Sequence, residues 1–225
     1  MICSSVQSKK VLVGSILVIL IIGSFTMLAY NSQKDALQGS AKLGLESTAS
    51  VMATQVTPKD LAGLKPGAEG SDQYRMITQK LRTMRSMDDN ILNAYILKVN
   101  PDQTVTFLVD DLYPDDPQGS AKIGEISTAP RTDILLALSG PTTSKEPYTT
   151  KYGSFMTAYA PIDDAVEGSS GNTVAVLAID VSAADYEAFT TRGSYILMTG
   201  FISMILAVGA IFYFGGSRRE ENKKE

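Results

Sequence analysis

Two uncharged apolar runs bracket the chain, Val11 to Tyr30 with twenty residues and Ser194 to Gly216 with twenty-three, and the stretch between them is one polar block. A helix rises about 1.5 Å per residue, so about 20 apolar residues cross a hydrocarbon core of about 30 Å. Both runs meet that length. The pattern predicts transmembrane helices at 11–30 and 193–216, short tails at 1–10 and 217–225, and one folded module at 31–192. A cleaved signal peptide is the rival for the first run. Its core is longer than a signal core usually is, and no small residue stands three before a cut after Ala29.

Inside the module the apolar period changes along the chain. Ala41, Leu45, Ala49, Met52 and Val56 step by four, four, three and four, which is one face of a helix over 35–56 that continues out of the first span. Thr57-Pro58 stops or kinks it, because proline cannot continue a helical ladder. After a loop with Gly63, Gly67 and Gly70, Ser71 is a candidate N-cap for a second helix with the stripe Tyr74, Ile77, Leu81 and Met84.

From Asn93 the period becomes two. Asn93 to Val99 and Thr104 to Asp110 read as strands of a hairpin, joined by Asn100-Pro101-Asp102-Gln103 with proline at the second turn position. A loop with Asp110, Asp111, Asp115 and Asp116 follows, and Pro130 opens a short helix over 131–138 that Gly140 closes. Strands are predicted again at Pro147 to Thr150, Ser154 to Ile162 and Thr173 to Val181, the last two joined by a loop over 163–171. Ser182-Ala183-Ala184-Asp185 has the form of a capping box and starts a helix leading through Tyr186 and Phe189 toward the second run.

Charge sets the orientation. The first tail carries Lys9 and Lys10 without an acid, and the last carries Arg218, Arg219, Lys223 and Lys224. Lysine and arginine near membrane ends stay cytoplasmic, so both tails read as inside and the module as extracytoplasmic. That central block holds 14 of the 20 basic and 21 of the 24 acidic residues, a net charge of −7. An acidic surface argues against nucleic acid and against docking on anionic lipid. Cys3 is the only cysteine, so no intramolecular disulfide forms and the module rests on its core, which a domain of this length can bury.

The order of elements resembles that of the Cache family, the extracytoplasmic PAS-like sensor domains. Phe107-Leu108-Val109-Asp110 resembles the segment closing that family's second strand, Tyr159-Ala160-Pro161-Ile162 its strand ending in proline, and Val174 to Val181 its last strand. The resemblance covers roughly Gln33 to Ala188. It implies an α+β fold: a long N-terminal helix and a five-stranded antiparallel sheet with flanking helices, binding a small molecule on one sheet face. The tryptophan and arginine of the family's amino-acid-binding pattern are missing here, for the chain has no Trp and no Arg between Arg131 and Arg192. Family members usually continue into an output domain after the second span. Nine residues after Gly216 cannot form one, which predicts that output comes from another polypeptide, through a homodimer or a separate signalling protein, or from a part of the protein missing from this chain.

The chemistry is limited by what the composition omits. Without histidine, Ser-His and Cys-His catalysis and the usual zinc sites are excluded, and no phosphate or dinucleotide fingerprint occurs. No enzyme activity, metal or cofactor is expected. Asp180 is the first candidate ligand contact. It shares a face with Val174, Val176 and Ala178, while Ala175, Leu177 and Ile179 share the other. A buried carboxylate needs a partner, be it a backbone amide, a basic side chain or a ligand amine. Its alternative role is to cap the turn into the exit helix.

Asp110, with Asp111 beside it, is a candidate ligand or cation contact or part of a solvated acidic loop. A calcium site from the four loop acids lacks the spaced loop with a closing Glu. Tyr95, Tyr113, Tyr152 and Tyr159 are candidate pocket walls, since tyrosine joins an apolar body to a polar tip, or else ordinary core. Thr157, on the strand of Tyr159, completes the candidate set. The expected function is a membrane-anchored receptor module that binds a small molecule and relays it through the second span. A non-signalling binding or structural protein of an extracellular assembly is the alternative, and an anchored hydrolase relying on carboxylates alone a third.

Overall fold

The computed structural model describes residues 2–162, 175–191 and 194–221. The expected loop over 163–171, the first residues of the expected last strand (Thr173 and Val174), the module boundary at Arg192 and the final residues 222–225 lie outside the described residues. The chain divides into two units. Met1–Gln38 with Thr190–Glu225 forms one, and Gly39–Phe189 the other.

The elements in chain order are α1 (Ile2–Ala53), α2 (Pro58–Leu61), α3 (Asp72–Arg85), β1 (Ile91–Val99), β2 (Val105–Asp110), α4 (Arg131–Leu136) with a 3-10 turn at Ala137–Ser139, β3 (Thr142–Thr143), β4 (Tyr148–Thr150), β5 (Gly153–Pro161), β6 (Ala175–Ser182), α5 (Ala183–Thr190) and α6 (Ser194–Glu221). The fold class is α+β. All strand pairs are antiparallel in the order β2-β1-β6-β5-β3, and β4 pairs with β5 beside β3. The sheet therefore has the five positions expected, with the fifth split into two short strands. The split has a local cause: Ser144 N–H still donates to Thr157 C=O of β5 at 2.8 Å, but residues 145–147 leave the edge, and Pro147 has no N–H to give to a ladder.

Within 39–189 the sheet buries both faces. One receives the predicted stripes of the first two helices: Ala49 and Met52 of α1, Val56 just past the helix end at Ala53, three residues short of the expected 56, and Tyr74, Ile77 and Leu81 of α3 pack with Ile96, Leu108, Val109, Leu177 and Ile179. Leu81 is wholly buried, so Leu81→Ala removes a side chain whose loss typically costs about 2–5 kcal/mol. Thr57 caps α2 in a full capping box with Asp60, an element the Thr57-Pro58 reading treats only as a stop. Ser71 Oγ accepts from the Tyr74 N–H at 3.2 Å, the expected cap of α3.

The second face carries Tyr95, Leu97, Phe107, Tyr159, Val176 and Ala178 beneath α4 and its 3-10 turn. The β1–β2 turn bonds Gln103 N–H to Asn100 C=O at 2.8 Å, with Gln103 at φ 63°. A register shift between Ile96 and Leu97 of β1 marks a bulge in β2, where Phe107 pairs with Leu97 and Val109 with Ile96, leaving Leu108 extra. Gly153 opens β5 at φ 143°, a backbone that L side chains rarely adopt, and a Cβ there would stand 2.7 Å from the Phe155 ring.

Candidate spans, long and apolar enough to cross a membrane, fall within Val11–Ala53 of α1 and within Ala183–Tyr213, the stretch of α5 and α6. Leu12, Leu20, Phe25 and Leu28 of α1 and Phe201, Leu206 and Phe212 of α6 are exposed, as lipid-facing side chains would be. The two helices touch through small residues. A Cβ on Gly200 would stand 2.8 Å from Thr26 Cβ, and Gly23 lies beside Met204. Gln33 Nε2 donates to the Tyr195 hydroxyl at 3.1 Å.

Candidate functional site

Three adjacent strands set the site. The register pairs Asp180 of β6 with Asn93 of β1 on one side and with Thr157 of β5 on the other, and directly opposed residues share a face. Thr157 Oγ1 donates to Asp180 Oδ1 at 2.6 Å, the Tyr95 hydroxyl donates to the same oxygen at 3.1 Å, and Asn93 Nδ2 donates to Oδ2 at 3.2 Å. Asp180 thus does not cap the exit helix. Ser182 does, accepting from the Asp185 N–H at 3.3 Å.

The three donors impose a direction on their neighbours. Because Thr157 spends its proton on Asp180, the Tyr148 hydroxyl at 2.7 Å donates to Thr157 Oγ1, and the Tyr159 hydroxyl at 3.1 Å donates to Tyr148. A chain of hydroxyls points from β4 and β5 toward one carboxylate.

Asp110 enters the same cavity from β2. The β2 bulge brings it there: Leu108 and Val109 both pack on the helix-covered face, so Phe107 and Asp110, three residues apart, share the opposite one. Asp110 is 8% exposed. Its Oδ2 accepts from the Ala121 N–H at 2.8 Å and its Oδ1 from the Leu112 N–H at 3.0 Å. The solvated-loop reading of Asp110 and Asp111 is corrected here. Asp111 is fully buried and takes Arg85 Nε at 2.5 Å and the Ala94 N–H at 3.2 Å. Nor do the four loop acids converge on one ion, since Asp115 pairs with Arg82 at 2.8 Å and Asp116 caps Gly119.

The cavity has a volume of about 80 Å³. Asp110, Asp180, Tyr95 and Tyr152 of the predicted set line it, while Thr157 and Tyr159 lie behind Asp180 and touch it only through the hydroxyl chain. Tyr113 is not a wall. It packs edge-on against Tyr74 on the other sheet face, with ring centroids 6.1 Å apart.

Sequence reasoning missed Asn93, Phe107, Tyr148 and Phe155 as lining residues, and the segment Ser127 to Ala129 that closes one side. That segment is held because residues 124–127 pair with β2, Gly124 N–H donating to Phe107 C=O at 2.8 Å and Ser127 N–H to Val105 C=O at 2.9 Å. Asn93 carried a readable signal, since it alternates in phase with Tyr95. The others carried none without the register.

Burial dominates the electrostatics. It pushes the Asp180 carboxyl up to about 6 against the three hydrogen bonds, with the nearby Asp110 adding to the rise. Asp110 is likewise pushed up to about 6 by burial, against two backbone amides, with Asp111 and Glu125 raising it further. Burial also raises the Tyr95 and Tyr159 hydroxyls well above their ordinary value and Tyr148 to about 12. At the rim, the Tyr152 hydroxyl donates to Glu125 Oε1, and Lys151 pairs with the same oxygen at 3.0 Å.

A long helix, a second helix on the same face and a five-position antiparallel sheet with a hollow on the other make an α+β arrangement of the PAS-like kind. The solved sensor domain of the histidine kinase DctB from V. cholerae matches with a TM-score of 0.50 at 14% identity, over 74% of this chain and 59% of that one. The chain thus spans less than two thirds of that neighbour's length. The ligand-binding domain of the Campylobacter jejuni chemoreceptor Tlp3, solved with L-norvaline, aligns at 17% identity over 75% of this chain and 64% of that one, TM-score 0.36. The periplasmic domain of RsbU from Chlamydia trachomatis aligns at 12% identity over 73% and 58%, TM-score 0.35. No family model and no curated protein matches the sequence.

Proposed function

We propose that this protein is a membrane-anchored sensor module that takes a small molecule in the cavity of Asp110, Tyr95, Tyr152 and Asp180 and relays its presence through the second span. The observation that carries this reading is the position of Asp180, in the lining of a polar and aromatic cavity and two residues before the Ser182 cap of α5. A ligand that shifts β6 thereby acts on the segment of chain leading to α6. It biases two states of the domain only by its differential affinity for them.

Tails with lysine and arginine and an acidic central block support an extracytoplasmic module with both ends inside. The role is binding rather than catalysis: the chain has no histidine, and the two pocket carboxylates hold no nucleophile.

The test is a thermal-shift and calorimetric screen of the full chain in nanodiscs against metabolite pools, with Asp180→Asn in parallel. A saturable ligand lost in the variant supports the sensor reading, and silence across the pools removes it. The lone thiol tests orientation: Cys3 should resist an impermeant maleimide in intact cells and react after lysis. Labelling of intact cells would overturn the topology.

A further inference from the structure

We infer that the cavity selects a small organic cation of the primary-amine class that carries no carboxylate. The inference rests on the reading of this cavity as the ligand site, and names what the site takes. Its first support is charge without a counter-ion. Asp180 is 3% exposed and its partners are Thr157, Tyr95 and Asn93; Asp110 is bonded to two backbone amides. Among the described residues no Lys or Arg lines the cavity. Three basic side chains of the same unit are committed elsewhere, Arg85 to Asp111, Arg82 to Asp115 and Lys151 to Glu125. A buried ionised carboxylate without a cation is costly, so the free cavity holds protons or waits for a positive guest.

The second support is independent of the carboxylates. The rest of the wall is dominated by rings, from Tyr95, Phe107, Tyr148, Tyr152 and Phe155. Ring faces attract an organic cation and do nothing for an anion. A hard metal ion is a poor match, because calcium asks for six to eight oxygens and, among the described residues, two carboxylates line the cavity, each already taken up by hydrogen-bond donors. Volume limits the guest further. A volume of about 80 Å³ lies well below the roughly 300–1,000 Å³ of pockets for drug-sized ligands, which favours a small guest, and ethylammonium probes that class. An α-amino acid would bring its own carboxylate against Asp110 and Asp180 with no base to meet it.

Protons compete for the same two groups. Asp180 faces Tyr95 from β1, Tyr148 from β4, Tyr159 from β5 and Asp110 from β2, and Asp110 faces Tyr74 of α3, Asp111 and Glu125, none of them cationic. An amine must displace whatever proton the pair holds, so its affinity rises with pH from 5 to 7.5.

The experiment uses the full chain in nanodiscs of uncharged lipid, titrated with ethylammonium, propionate, 1-propanol and potassium as chloride or sodium salts at pH 5 and pH 7.5. Expected is saturable binding of ethylammonium alone, at least tenfold weaker at pH 5, and at least thirtyfold weaker in Asp180→Asn and in Asp110→Asn. A melting curve shows whether each variant is folded, and either folded variant suffices. Binding of propionate, or equal binding of ethylammonium and 1-propanol or potassium, overturns the cation class. A metabolite screen separates the two levels: hits that are anionic or neutral overturn this inference and leave the sensor reading, whereas no hit of any class overturns both.

Discussion

The Tyr74 hydroxyl holds both backbone groups of Asp110, accepting from its N–H at 3.1 Å and donating to its C=O at 3.2 Å. This contact pins β2 where its bulge has turned Asp110 toward the cavity. A helix on one face of the sheet thus fixes a carboxylate on the other. Tyr74→Phe keeps the packing and leaves the buried N–H and C=O of Asp110 short of a partner. The expected cost is about 1–3 kcal/mol, read as a lowered melting temperature of the full chain. An unchanged melting temperature would mean that the bulge holds itself.

Asp110 and Asp180 give a pH dependence with a definite sign. Each carboxyl is raised from 3.8 to about 6 in the fold, so the native state holds more protons than the unfolded chain between those values. The stability each group contributes is complete below the unfolded value and is lost as pH rises through 6. At about 1.4 kcal/mol per unit, each costs about 3 kcal/mol by pH 7. Melting of wild type against Asp180→Asn should therefore show wild type losing ground between pH 4 and pH 7, and parallel curves would refute the raised carboxyl.

Arg85 guards the carboxylate next in sequence. Its Nε lies 2.5 Å from the buried Asp111, and Arg82 Nε donates to the Asp111 backbone C=O at 2.6 Å. Arg85→Met strands a buried negative charge, and breaking such a pair from one side costs about 3–5 kcal/mol. Replacing Asp111 with Asn in the same chain should recover a good part of that loss. If the double variant melts no higher than Arg85→Met, the pair is not what stabilises the loop.

Gly200 makes a prediction about the membrane unit. On the second apolar helix, Gly200 is packed directly by Thr26 of the same chain. Close approach of this kind depends on the missing side chain. Gly200→Leu should force the two helices apart, lowering the yield of a disulfide engineered between Gly23→Cys and Met204→Cys, with Cys3→Ser as background. Gly209 has nothing within 4 Å, so Gly209→Leu should leave the yield unchanged.

Much of this molecule can be read from neighbours along the chain. The steps of four and three in Leu45, Ala49 and Met52, the stripe of Tyr74, Ile77 and Leu81, and the alternation that puts Val176, Ala178 and Asp180 on one side of β6 are local facts, and each appears in the fold as its period dictates. Period is legible because it depends only on helix and strand geometry. The sequence by itself also determined that two apolar spans flank an acidic block and that histidine chemistry is absent.

What only the tertiary structure decided is which side chains meet. Strict alternation from Phe107 would send Val109 into the cavity and Asp110 away, and the extra Leu108 reverses both. Thr157 and Tyr159 have the right residue types for a wall, yet the pairing of β5 between β6 and the edge strands sets them behind Asp180. Tyr148 reaches the site only because β4 takes part of the edge beside β5. Bulges and register are fixed by partners that lie tens of residues away, and a shift of one residue exchanges the two faces of a strand. No periodicity within one segment carries that information.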